Sequence, residues 1–137
     1  MPKMRRADYG MENRWTPKLA QGGFTPVPQV LLKHYTDLNI TSMEAMLVVH
    51  LLSYKWDEQL PFPSMTTLAG RMGCSPRYVR KLCESLESVG YLKRNGRIGM
   101  SNQFDLSGLF ARLEPFLDSA RSGAVVSLEV RADGGLL

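Results

Sequence analysis

Little in this sequence is suited to chemistry. Cys74 and Cys83 are the only cysteines and His34 and His50 the only histidines, and their spacing matches no zinc site. His50 lies in a strongly apolar stretch, where packing is the expected role. There is no glycine-rich loop ending in Gly-Lys-Ser/Thr, no His-Glu-x-x-His and no Gly-x-Ser-x-Gly elbow. The two glycines of "NGRIGMS" fall in a hairpin pattern and do not form a nucleotide loop. These absences argue against an enzyme, a cofactor, a metal or a small-molecule substrate. No apolar run is long enough to span a bilayer, and the N-terminus lacks the apolar core of a secretory signal. A cytoplasmic protein with two reduced cysteines is expected.

What the chain does have is a core and an uneven distribution of charge. At 137 residues and 44% hydrophobic content it has room for one domain with short extensions. The formal net charge is +4, but Arg71 to Arg97 carries seven cations against two carboxylates, a local +5. The rest of the chain has ten against eleven, or −1. A basic centre in a balanced chain is the footprint of a polyanion binder, and charge alone leaves a solvated face almost as reasonable.

Periodicity divides the chain into three parts. Residues 1–23 are polar and basic, without sustained period, and read as a flexible arm. Residues 24–113 carry the domain. Two prolines, Pro26 and Pro28, precede a short helix over about Pro28–Thr36. Thr41 and Glu44 stand in capping-box register before a central helix that is apolar on most faces. Ser64 starts a second helix that stops at Gly73, and Ser75-Pro76 starts a third. The third has an apolar stripe of Val79, Leu82, Cys83, Leu86 and Val89 and ends at Gly90. Two extended segments then flank Asn95-Gly96, a dipeptide suited to a tight hairpin turn. Ser107 caps a last helix that Pro115 should interrupt, and residues 114–137 form an extension in which "AVVSLEVRA" alternates like an edge strand.

Three helices followed by a basic hairpin give the order of a winged helix-turn-helix, mainly α with a small β-hairpin wing. Ala69, Gly73, Val79 and Leu82 supply, in order, a small residue for a close helix crossing, a turn glycine and two anchors for the third helix. The chain here resembles bacterial winged helix-turn-helix DNA-binding proteins, especially those grouped with plasmid and phage replication initiators and related regulators. The resemblance rests on "FTPVPQVLL", "FPSMTTLAGRMGCSPRYVRKLCESLESVGYL" and "SNQFDL". It implies that the start of the third helix, here Ser75, Pro76, Arg77, Tyr78, Arg80 and Lys81, enters a major groove.

With Val79 and Leu82 turned inward, Arg77 and Lys81 share an outer face four residues apart. Arg77 is the first candidate for base reading, followed by Tyr78 and Arg80, with phosphate contact or plain solvation as the alternative. Thr66 and Thr67 can hold a phosphate at the start of the second helix or simply cap it. Arg94, Asn95 and Arg97 should cluster at the wing tip, on backbone or minor groove, although edge strands also use cations to prevent aggregation. Asn102 and Phe104 suit hairpin packing, and Tyr54 and Trp56 suit core or cover positions. If about five to seven cations met phosphates, log affinity would fall against log salt with a slope of roughly −4.5 to −6.

The expected function is therefore sequence-specific binding of double-stranded DNA as a transcriptional regulator, located at the nucleoid through DNA. The alternatives are an initiator or accessory protein for plasmid or phage replication, and a winged helix used only for protein contacts. A homodimer through Leu109, Phe110, Leu113, Phe116 and Leu117 competes with folding of that cluster over the chain's own first helix.

Overall fold

The computed structural model describes residues 14–54 and 60–122. The elements run α1 (Pro17–Gln21), α2 (Gln29–His34), α3 (Ser42–Leu52), α4 (Met65–Met72), α5 (Pro76–Ser88), β1 (Lys93–Arg97), β2 (Met100–Asp105) and α6 (Ser107–Ser122). This is a winged helix: mainly helical, with one two-stranded antiparallel hairpin. The alternating "AVVSLEVRA" segment and Trp56 lie outside the described residues.

Local sequence signals set most helix starts. The Thr41 hydroxyl accepts from the Glu44 amide at 3.1 Å, and the Glu44 carboxylate accepts from the Thr41 amide at 2.8 Å. The reciprocal pair satisfies two donors that a helix start leaves open, and it accounts for a carboxylate as buried as Glu44. Ser64 caps α4, and Ser75 caps α5 ahead of Pro76 in the first turn. Asn39 makes the turn between α2 and α3 at φ 60°, a left-handed conformation that asparagine tolerates.

The core gathers one face from each of α2 to α6. α3 packs against both α4 and α5, α4 against α5, and α2 against α6. Leu31, Leu47, Leu51, Leu68, Val79 and Leu109 are almost wholly excluded from solvent. The wing closes on this core through Tyr91, whose hydroxyl donates to the Leu38 carbonyl at 3.0 Å, and through buried Phe104, whose amide donates to the Pro61 carbonyl at 2.8 Å. α6 lies over α2, with the Phe116 ring stacked on His34 at 4.2 Å. Leu109 and Leu113 are thus buried within the chain, while Leu117 stays half exposed.

In the described part of the arm, Thr16 caps α1 and Pro17 occupies its first turn. Four expectations are corrected. Val89 is 54% exposed and outside the apolar stripe, because α5 ends at Ser88. Met46 is likewise an exposed position on α3. The hairpin turns at Ile98-Gly99, with Gly99 at φ 69°, and not at Asn95-Gly96. Asn95 pairs with Gln103 and Arg97 with Met100, so Gly96 faces two residues, Ser101 and Asn102, across a bulge. Finally, α6 continues through Pro115. Pro115 and Ala111, one turn earlier, are both exposed, so water can take the carbonyl that the missing amide frees.

Candidate nucleic-acid interface

The turn before α5 is built to bring two helices close. Gly73 ends α4 in the left-handed region at φ 68°, and the Cys74 amide returns to the Ala69 carbonyl at 3.1 Å. Ser75 then accepts from the Tyr78 amide at 3.1 Å. Because Val79, Leu82, Cys83 and Leu86 are buried, the opposite face of α5 is fixed outward. Arg77, Arg80, Lys81 and Glu84 are exposed there, and Tyr78 is 39% exposed. With Ser75 they line one open depression.

This face carries charge without internal partners. Among the described residues, Arg77, Arg80 and Lys81 form no ion pair or side-chain hydrogen bond. Their placement at the positive end of a helix dipole gives the helix nothing by itself. At the start of α4, Thr66 is exposed, whereas the Thr67 hydroxyl accepts from Ser64 at 2.9 Å and belongs to the cap.

The wing is arranged differently from the sequence expectation. Arg94 donates to both carboxylate oxygens of Glu87, Nε at 2.6 Å and NH2 at 2.9 Å, with both side chains largely shielded. Hydrogen bonding to Glu87 raises the Arg94 pKa further. Arg97 donates to the Ser101 carbonyl at 2.9 Å and lies over the Phe62 ring at 4.9 Å, with NH2 buried and unpaired. Asn95 is half-buried in β1. The three residues therefore sit along the strand, and the tip itself is Ile98-Gly99.

Ile98 and Phe62 were not signalled as surface features by the sequence. Reading Asn95-Gly96 as the turn placed Ile98 inside a strand, and Phe62 acquires its partner only through the tertiary fold. A further cation, Arg71, lies over Tyr54 at 5.0 Å and reaches the Ser53 hydroxyl at 3.3 Å. Among the described residues no three His, Cys, Asp or Glu side chains gather as a metal site would require, and no helix is long and apolar enough to cross a membrane.

Comparison with known proteins bears on this arrangement. The DnaD N-terminal domain family matches residues 27–122. The crystal structure of the N-terminal domain of DnaD protein from Geobacillus kaustophilus HTA426 is similar at 26% identity and a TM-score of 0.59, covering 80% of this chain and 98% of that one. The crystal structure of transcriptional regulator PA3341 aligns at 18% identity and a TM-score of 0.43, covering 85% of this chain and 81% of that one. No curated protein sequence matches.

Proposed function

Since the chain belongs to the DnaD N-terminal domain family, a replication-related group of winged helices, we propose that it binds double-stranded DNA in a replication setting, with α5 as the reading helix. The observation that carries this is the outer face of α5: three cations and a tyrosine, exposed and uncommitted, held outward by a buried apolar stripe. A duplex major groove accepts a helix presented in this way, and its phosphates provide the counter-charge the face lacks. Family membership favours a replication accessory role over the transcriptional regulator that sequence reading placed first.

The site residues divide by task. Arg77 is the base reader, Tyr78 supplies apolar contact, and Arg80 and Lys81 engage phosphates. Arg94 and Arg97 hold the wing in place and contribute no direct charge to DNA. The second reading, a module for protein contacts, is favoured by one feature: Trp15 packs against Phe24 at 5.9 Å while both rings stay partly exposed. A second copy of the chain or another replication protein could cover that surface.

Selection of bound duplexes from a random library, followed by anisotropy titration of Arg77→Ala, tests the DNA reading. Loss of discrimination worth about 1–3 kcal/mol at one base position, with weaker loss of non-specific binding, is the expected result. Absence of DNA binding by the unmodified chain at low salt would overturn it.

A further inference from the structure

One group on the outer face of α5 does not suit a helix that only grips phosphates. Glu84 is exposed and lines the same depression as Arg77, Tyr78, Arg80 and Lys81. Among the described residues it forms no ion pair or side-chain hydrogen bond, although Arg80 and Lys81 stand one turn before it, at spacings where a helical pair can form. Arg94, whose charged form the Glu84 carboxylate favours, is already bonded through Nε and NH2 to Glu87. The Glu84 carboxylate is therefore presented to solvent with its acceptor capacity unused.

Its place on the helix is set by the buried stripe. With Val79, Leu82, Cys83 and Leu86 inward, Arg77, Lys81 and Glu84 fall at i, i+4 and i+7 along the opposite side. Arg77 and Glu84 are two turns apart, roughly 10.5 Å along the axis. On a helix lying along a groove whose bases rise by about 3.4 Å, their contacts fall about three base pairs apart. An ionised carboxylate offers acceptors only. Phosphates repel it, so it weakens binding to any duplex that gives it no donor. The major-groove edge supplies donors at cytosine N4 and adenine N6, and adenine sets its N7 acceptor beside that donor, against the second carboxylate oxygen. Cytosine is the base that fits.

We infer that Glu84 is a specificity-determining residue of the α5 face: it accepts from the N4 amino group of a cytosine about three base pairs from the pair read by Arg77, and it disfavours duplexes that lack that base. Arg77 and Glu84 are then the two ends of one reading stripe, with guanine at the cationic end, cytosine at the anionic end and Lys81 between them. The inference rests on the DNA reading proposed above, and its test separates the two.

Bound duplexes are selected from a random library with the unmodified chain, Arg77→Ala, Glu84→Ala and Glu84→Gln. Affinities for the selected site, its single-base variants and a random duplex then follow by anisotropy. Glu84 is exposed, so both of its variants should fold, with circular dichroism as the check. The unmodified chain should select a C·G pair about three base pairs from the position at which Arg77→Ala loses preference. Glu84→Ala should lose about tenfold discrimination at the C·G position alone and bind the random duplex more tightly. Glu84→Gln should move the preference there from cytosine toward adenine, because an amide both accepts and donates. A glutamate that is merely solvated or structural would not produce that change of base. Base preferences unchanged in both Glu84 variants overturn the inference and leave the DNA reading standing, and a rise in random-duplex binding alone makes Glu84 a repulsive surface charge only. Selection by the unmodified chain of any base but cytosine at the Glu84-dependent position overturns it as well. No binding by the unmodified chain at low salt overturns the DNA reading and the inference together.

Discussion

Burial gives the two cysteines different reactivities. Cys83 is wholly enclosed, and desolvation pushes its thiol up to about 11; the nearby Arg94 charge opposes this only in part, while Glu87 and Glu84 add to it. Cys74 is only partly buried in the turn before α5. At pH 8 an aromatic disulfide reagent should therefore titrate one thiol in the native chain and two in denaturant. Two fast thiols in the native state would contradict this packing. His50 is perturbed in the opposite sense: burial, then the Arg71 charge, lowers it from the ordinary 6.5. The unfolded chain then binds the extra proton first, so stability present above pH 6.5 declines as pH falls through and below that value. The melting temperature should drop between pH 7 and pH 5, and by less in His50→Gln, as scanning calorimetry can check.

At the scale of elements, the tightest joint is where the wing begins and ends. Gly90, at φ 83°, turns the chain out of α5, and Gly108 opens α6 directly against it. The Leu109 amide donates to the Tyr91 carbonyl at 3.2 Å, and a Cβ on Gly108 would collide with the Gly90 carbonyl oxygen. Gly108→Ala should cost about 1–3 kcal/mol, measurable by urea unfolding. A cost within a few tenths would mean that α6 shifts freely. The elements that were legible beforehand share one property: their determinants are local. Thr41 with Glu44, Ser64, and Ser75 with Pro76 each act within one helical turn, and α3, α4 and α5 start where those residues indicate. Asn95-Gly96 misled because turn preference is local whereas hairpin register is not. Burial of Phe104 and its bond to Pro61 place the turn three residues further on. Arg94 and Arg97 misled for a related reason, since Glu87 and Phe62 become their partners only in the folded chain. The outward set on α5 was legible because the inward set could be read from its period.

Across the whole molecule, the basic centre is smaller in effect than in count. Arg94 is neutralised by Glu87, Arg97 is folded over Phe62 and Arg71 over Tyr54, so four of the seven cations stay freely presented: Arg77, Arg80 and Lys81 on α5 and Lys93 at the base of the wing. Four phosphate contacts per chain give a slope of log affinity against log salt of about −3.6, short of the −4.5 to −6 that charge counting suggests. Anisotropy titrations across a salt series decide between them, and a slope of −5 or steeper would mean that the wing arginines leave their partners on DNA.

The pinch between Gly90 and Gly108 also makes the wing modular. Its two ends meet at one backbone contact and its strands are tied down through Phe104, Arg94 and Arg97, whereas Ile98 at the apex is fully exposed, so the apex can be rewritten without notice from the core. Peptides spliced between Ile98 and Gly99 should be displayed on an otherwise unchanged scaffold, which makes this hairpin a natural place for relatives to diverge in what they grip.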